Sequence, residues 1–182
     1  MAHRKLPYED YVLLPDDGKR HEILDGEHYV TAAPCPQHQA ILGELYLWIG
    51  SFLRQNRLGW IFFAPVDVLL SKHDIVKPDF LFISNERLTT LTEKNVQGAP
   101  DLVIEVLFPS TRRIDEGLKR ERYELLEVRE YWTVDPSRSV VRVYRRAADR
   151  LRKEAELTAV AGDCLATPLL PGLEIPLVEV FQ

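Results

Sequence analysis

The sequence has very little cysteine. Cys35 and Cys164 lie far apart and outside any CxxC pair. That excludes a disulfide framework and a zinc ribbon, and a reducing, cytoplasmic compartment is the expectation. Long apolar runs are missing too. Leu58 to Val66 is free of charge, but a membrane-spanning helix needs about 20 mostly apolar residues, so no span is expected. The opening MAHRKLPYEDYVLL starts basic, yet Glu9 and Asp10 fall where a secretory leader needs its apolar stretch. GxGxxG, the GxxxxGK phosphate loop, GxSxG and HExxH are all absent, which excludes the common nucleotide-binding, serine-hydrolase and zinc-protease signatures. The five histidines (His3, His21, His28, His38, His73) show no zinc-ligand spacing. Repeats, low-complexity tracts and Pro/Gly/Ser linkers are also lacking, so residues 1–182 are expected to form one domain.

What is present describes a folded protein. Hydrophobic residues make up 46% and charged residues 28%, which excludes disorder as the global state. The net charge of −5 argues against indiscriminate nucleic-acid binding. Its distribution is uneven: Arg112 to Lys153 holds 13 basic and 8 acidic residues, leaving 10 basic and 20 acidic elsewhere. A basic stretch beside an acidic remainder permits a polyanionic substrate and equally describes a solvated surface.

Periodicity predicts the elements. A short helix is expected over Tyr8 to Leu14. Arg20 to Leu24 and His28 to Thr31 flank Asp25-Gly26, a hairpin signal. Ile41, Leu42, Leu45, Trp48, Ile49 and Phe52 repeat at helical spacing within Gln37 to Gln55. Strands are predicted at Trp60 to Ala64, Val66 to Leu70, Asp79 to Ser84, Leu102 to Leu107, Glu130 to Val134 and Val140 to Arg145. A second helix is placed at Arg112 to Glu127, with Ser110-Thr111 as its cap. The tail, with Pro168, Pro171 and Pro176, reads as edge strands and loops. The fold class is α/β: a mixed sheet flanked by helices, preceded by an N-terminal helix and hairpin.

Three carboxylates stand in apolar strand segments: Asp67 in PVDVLL, Asp79 in KPDFLFI and Glu105 in DLVIEVL. A buried ionised carboxylate costs several kcal/mol or more unless it is paired or metal-bound. Alternation puts Leu102, Ile104 and Val106 on one face of their strand and Val103, Glu105 and Leu107 on the other. Two such acids converging from adjacent strands make a hard-cation site for magnesium or manganese. Asp67 reads equally as a solvent-facing edge residue. In STRRIDEGLKRERYELLEV, Ile114, Leu118 and Leu125 form a core-facing stripe with Lys119 beside it. Lys119 either pairs with Asp115 on a wet surface or points back over the sheet toward Glu105. Glu22 or Glu27 of the hairpin can reach the outer shell of a metal. His38 is a cap or packing residue, or a contact to phosphate or water.

HEILDGE, the His38 helix, KPDFLFIS, GAPDLVIEVLFPSTRRID, the Lys119/Tyr123 pair and EYWTVDP together resemble the Uma-two family of restriction endonucleases, within the PD-(D/E)XK nuclease superfamily. The resemblance runs from about Arg20 to Pro136. It implies a restriction-endonuclease-like core with a divalent metal, Mg2+ or Mn2+, at the sheet edge. Asp79 and Glu105 would be the motif acids holding it, the Val106 carbonyl a further ligand, and Glu22 the acid of the first family segment. The superfamily lysine is expected two residues after the acid, where this chain has Leu107. In families like this one it comes from the following helix, here Lys119. Phe108 stands where the family usually has Ser. The implied activity is metal-assisted hydrolysis of DNA phosphodiesters by Glu22, Asp79, Glu105 and Lys119, with His38, Arg112, Arg113, Arg120 and Arg122 on the nucleic acid; a homodimer joined through the sheet edge or the aromatic strand Trp60 to Phe63 is a separate expectation. The alternatives are an inactive nuclease-fold module that binds nucleic acid or a protein, and a phosphohydrolase acting on nucleotides.

Overall fold

The computed structural model describes residues 4–31 and 33–182; His3 lies outside the described residues. After a one-turn helix α1 (Tyr8–Tyr11), strands β1 (Arg20–Leu24) and β2 (Glu27–Thr31) form the predicted hairpin. Its two turn residues, Asp25 and Gly26, have φ of 50° and 80°, the left-handed pair that a tight hairpin requires. A Cβ on Gly26 would fall 2.4 Å from the Lys5 side chain, so only glycine fits there. The long helix α2 (Pro36–Asn56) follows, then β3 (Gly59–Phe63), β4 (Val68–Ser71), β5 (Asp74–Val76), β6 (Phe80–Ser84), β7 (Val96–Gln97) and β8 (Leu102–Val106). A π-helical turn (Ile114–Lys119) runs directly into α3 (Arg120–Leu125). The chain ends with β9 (Glu130–Asp135), β10 (Val140–Ala147), β11 (Arg150–Thr158), β12 (Cys164–Ala166), β13 (Glu174–Pro176) and the one-turn helix α4 (Leu177–Val180).

The expected α/β class with a mixed sheet holds. Six strands order as β11-β10-β9-β8-β6-β3, with β8 parallel to β9 and antiparallel to β6. A five-stranded sheet, β2-β1-β5-β4-β7, lies beside it. That second sheet was not foreseen, because β5 and β7 are three and two residues long, too short to show a period.

The six-stranded sheet separates two cores. One face carries Phe80, Phe82, Leu102, Ile104 and Trp132 against Ile41, Leu45 and Ile49 of α2. The other carries Leu81, Ile83, Val103 and Tyr131 against Tyr123 of α3. Burying each aliphatic side chain contributes about 1.5–3 kcal/mol, so β6 and β8 are pinned between two apolar layers. The stripe on the second helix is shorter than expected. Ile114 and Leu118 pack inward, but Leu125 is 63% exposed because the helix ends there and the chain turns away. No helix among the described residues is long and apolar enough to cross a membrane.

Candidate active site

The register Phe80↔Ile104 sets Asp79, one step before β6, opposite Glu105 of β8. Asp79 is fixed by three donors: His38 Nε2 at 2.9 Å, the Val106 backbone N–H at 2.9 Å and Arg20 Nη1 at 2.5 Å. Arg20 also donates to the Lys77 carbonyl. Burial alone would raise the Asp79 pKa. The His38 hydrogen bond and the Arg20 charge outweigh it and bring it down to about 2.

Glu105 is buried on the opposite face from Ile104 and Val106. Its Oε1 accepts from Lys119 Nζ at 3.0 Å and from the Tyr123 hydroxyl at 2.9 Å. Lys119 is 2% exposed and also meets Glu22 Oε2 at 3.0 Å and Asp115 Oδ1 at 3.5 Å. It therefore ties the two sheets together, Glu22 from β1 to Glu105 from β8. The second Glu22 oxygen, Oε1, accepts from the Lys77 backbone N–H at 2.7 Å. The wet-surface pairing of Lys119 with Asp115 is overturned, since both side chains are buried. Both lie in the π-helical turn, four residues apart, on its buried face. Such turns recur at functional sites.

Charge does not close in this cluster. Glu22, Asp79, Glu105 and Asp115 are four buried carboxyl groups, and the permanent cations among them are Lys119 and Arg20. Burial pushes the Glu105 pKa up to about 8. Lys119 opposes that shift, and Asp79, Asp115 and Glu22 add to it. Asp115 is raised by burial as well, again against Lys119. For Lys119 the order reverses: burial would lower its pKa, but Glu105, Glu22 and Asp115 hold it above the usual lysine value. Below about pH 8 the Glu105 proton makes up part of the deficit; a dication would displace that proton and balance all four carboxylates. No three His, Cys, Asp or Glu side chains among the described residues form a ready-made cage. Magnesium does not need one: it is usually held by one or two carboxylates, with water and substrate oxygens completing its octahedron. The all-oxygen donors Asp79, Glu105 and the Val106 carbonyl suit such an ion.

The centre opens into a narrow cleft bordered by Arg20, His38, Phe108, Thr111 and Asp115. His38 Nδ1 is buried and has no partner among the described residues. With Nε2 donating to Asp79, Nδ1 of the neutral ring is an acceptor for a water or a hydroxyl.

Sequence reasoning had singled out Glu22, Asp79, Glu105, Val106, Lys119 and His38, and these meet at one place. Arg20 was missed; an arginine at the start of a hairpin carries no sign of a partner 59 residues away. The four arginines of the second helix are dispersed. Arg112 pairs with Asp135 at 2.7 Å, and Arg120 lies over the Tyr144 ring at 5.1 Å. Arg122 holds Asp74 with two bonds of 2.7 Å. Arg113 is exposed and makes no ion pair among the described residues. Asp67 lies outside the cluster, bonded to the Tyr11 hydroxyl at 2.7 Å, and Glu27 is exposed, bonded to Tyr29.

The comparisons with known proteins agree with this architecture. A crystal structure of a putative nuclease belonging to DUF820, from Anabaena variabilis, superposes with a TM-score of 0.77 over 97% of both chains, at 19% identity. That likeness shows a shared fold. Among curated proteins nothing matches. The family model of Uma2, described as "Putative restriction endonuclease", matches residues 8–178. With nearly the whole chain covered by that match, the protein belongs to the Uma2 family.

Proposed function

We propose that the chain is a magnesium- or manganese-dependent endonuclease that hydrolyses DNA phosphodiester bonds. One observation carries the reading: two acids from paired strands share a buried pocket with an ammonium group, and the pocket holds four carboxyl groups against two cations. The family name and the nuclease fold of the Anabaena variabilis protein support it. Asp79 and Glu105 would hold the cation, with the Val106 carbonyl as a further oxygen. Bound there, it would supply Lewis-acid activation of water and neutralise charge on the phosphoryl group.

The chain's own groups do the rest. Lys119, anchored by Glu22 and Asp115, keeps its proton and directs positive charge at the mouth of the pocket, where an attacking water and a non-bridging phosphate oxygen must sit. Glu22 fixes Lys119 in turn by drawing it toward the second sheet. His38 Nδ1 accepts a hydrogen bond from a water at the cleft wall. Arg113 is free to meet the phosphate backbone, a contact that positions the strand without reading its sequence.

The test is cleavage of DNA with magnesium present, with folding checked by circular dichroism. Asp79→Ala and Glu105→Ala abolish hydrolysis. Lys119→Gln lowers turnover by about 10²–10⁴-fold while substrate affinity stays nearly constant. Cleavage that survives both acid substitutions rejects the reading.

A second reading has one observation in its favour. Both Asp79 oxygens already accept bonds from Arg20, His38 and Val106, as suits an inactive nuclease-fold module that binds nucleic acid or a protein. Calorimetric titration with manganese separates the two, since the module takes up none at millimolar concentration.

A further inference from the structure

Four aromatic side chains are exposed among the described residues: Tyr46, Trp60, Phe63 and Phe108, at 42, 61, 55 and 37%. All four line one run of connected clefts. Phe108 borders the cleft of the buried centre. A second cleft shares Arg20, His38 and Asp79 with the first and extends to Tyr46 and Phe63. A third begins at those same two rings and continues to Trp60, Arg54 and Arg57. Tyr46 and Phe63 meet edge to face, with centroids 5.7 Å apart and planes at 83°. An isolated exposed apolar side chain needs no explanation. The gathering of every exposed aromatic along one path does, because contiguous apolar patches mark binding surfaces.

The charge along the path is mainly positive. Arg54 and Arg57 line its far end and make no ion pair among the described residues. Lys19 and Lys77 line the middle, paired with Asp17 at 3.1 Å and Asp67 at 3.6 Å. Apart from the carboxylates of the buried centre, Asp16 is the one acid on its walls. Exposed rings beside the two unpaired arginines match the needs of an unpaired strand. Its base faces are open for stacking, whereas those of a duplex are covered by their neighbours.

We infer that this path holds single-stranded DNA, with bases stacked on Tyr46, Phe63 and Trp60 and phosphates beside Arg54 and Arg57, leading the strand to Asp79. The inference rests on the nuclease reading and adds its substrate class: DNA that is unpaired, or carries an unpaired flank, next to the scissile bond. Phe108, where the family resemblance leads one to expect a serine, then belongs to the same stacking path at its catalytic end. The competing occupant is a second copy of the chain, since β3 is an edge strand that bears Trp60 and Phe63.

Fluorescence anisotropy on the full chain tests this, using a labelled oligothymidine and a duplex of equal length, without divalent cation so that nothing is cleaved. The single strand binds more tightly at equal salt. Trp60→Ala and Phe63→Ala each weaken it by about 5- to 100-fold and leave duplex binding unchanged. Arg54→Gln and Arg57→Gln each lower the slope of log affinity against log salt by about 0.7. Equal affinity for the two DNAs overturns the inference, as does single-strand affinity that neither aromatic substitution changes. If Trp60→Ala instead turns a dimer into a monomer in sedimentation velocity while strand affinity holds, the face belongs to a second copy and the inference falls. Strand preference found without any metal-dependent cleavage supports the path and rejects the nuclease reading. Cleavage with no strand preference does the reverse.

Discussion

Lys119 and Arg122 lie three residues apart on one helical segment, and each brings a cation to buried carboxylates, yet the two clusters differ in whether their charge closes. Arg122 meets Asp74 through two bonds of 2.7 Å and the half-exposed Asp25 carboxylate at 3.6 Å, and the Asp25 N–H and Ser71 hydroxyl complete the coordination of Asp74. Lys5 takes up Asp25 at 2.6 Å, so two acids face two cations, and every lone pair of Asp74 has a donor. Around Lys119, one ammonium group serves Glu22, Glu105 and Asp115, and Arg20 serves Asp79 nearby. The lesson is that a buried charge does not by itself mark a functional site; a buried excess of one sign does. A closed pair holds two elements together. An open cluster leaves free energy to be gained by a ligand that brings the missing charge.

The largest expected effect breaks the closed pair. Arg122→Ala leaves Asp74 fully buried with no cation in contact, which costs about 3–5 kcal/mol of stability. Urea unfolding measures it, and magnesium does not restore the loss. The acid side has a defined sign. Burial would raise the Asp74 pKa, but the Arg122 and Ser71 bonds lower it below the usual aspartate value. Its contribution is therefore complete above the unfolded-state pKa and disappears as pH falls through the folded one. A melting temperature for Arg122→Ala within a degree of the parent would place the pair outside the stability balance altogether.

The open cluster behaves in the opposite way. The folded Glu105 pKa of about 8 lies above the ordinary glutamate value of 4.5. Between those values the folded state keeps a proton that the unfolded state has shed, so metal-free stability falls as pH rises, by at most about 1.4 kcal/mol per pH unit. Glu105→Gln removes that slope and stabilises the metal-free protein at pH 8. In the parent, magnesium raises the melting temperature more at pH 8 than at pH 6, because less proton has to be displaced. Thermal melts of both proteins across this range check the sign. A parent curve parallel to that of Glu105→Gln contradicts it.

Legibility in the sequence followed the same division. Glu105 and Asp79 stood out because an acid within LVIEVL or beside DFLFI conflicts with a buried strand, and a conflict between local pattern and fold is what a functional site produces. Lys119 was readable as one of two options, and burial decided between them. Glu22 was one of two hairpin acids able to reach a metal, and only the family resemblance chose it over Glu27, since a glutamate in a hairpin looks solvated. Arg20, Asp74 and Arg122 gave no sign, as their partners lie 59 and 48 residues away and arginine on a polar stretch reads as surface. The π-helical turn was hidden as well, because its sequence has an ordinary α-helical period and the sheet below selects the wider turn. Trp60 and Phe63 were read correctly as strand formers, but their exposure depends on β3 lying at the edge of the sheet, and strand order is not written in a local window.

The smallest expected effect sharpens the comparison along the basic stretch itself. Arg112, Arg120 and Arg122 are engaged with Asp135, Tyr144 and Asp74, whereas Arg113 is exposed and unpaired among the described residues. Arg113→Ala should change stability by less than about 0.5 kcal/mol, as for a surface position without partners. On DNA it should lower the salt slope by about 0.7–0.9, the release of one counterion's worth of phosphate contact. Arg122→Ala, by contrast, should shift the unfolding midpoint and leave the salt slope unchanged wherever the protein remains folded. Titrations at several salt concentrations, run beside urea melts, separate the two. If Arg113→Ala and Arg122→Ala change the same quantity, the packed and free cations of this helix are not distinct, and net positive charge would have to explain binding without help from geometry.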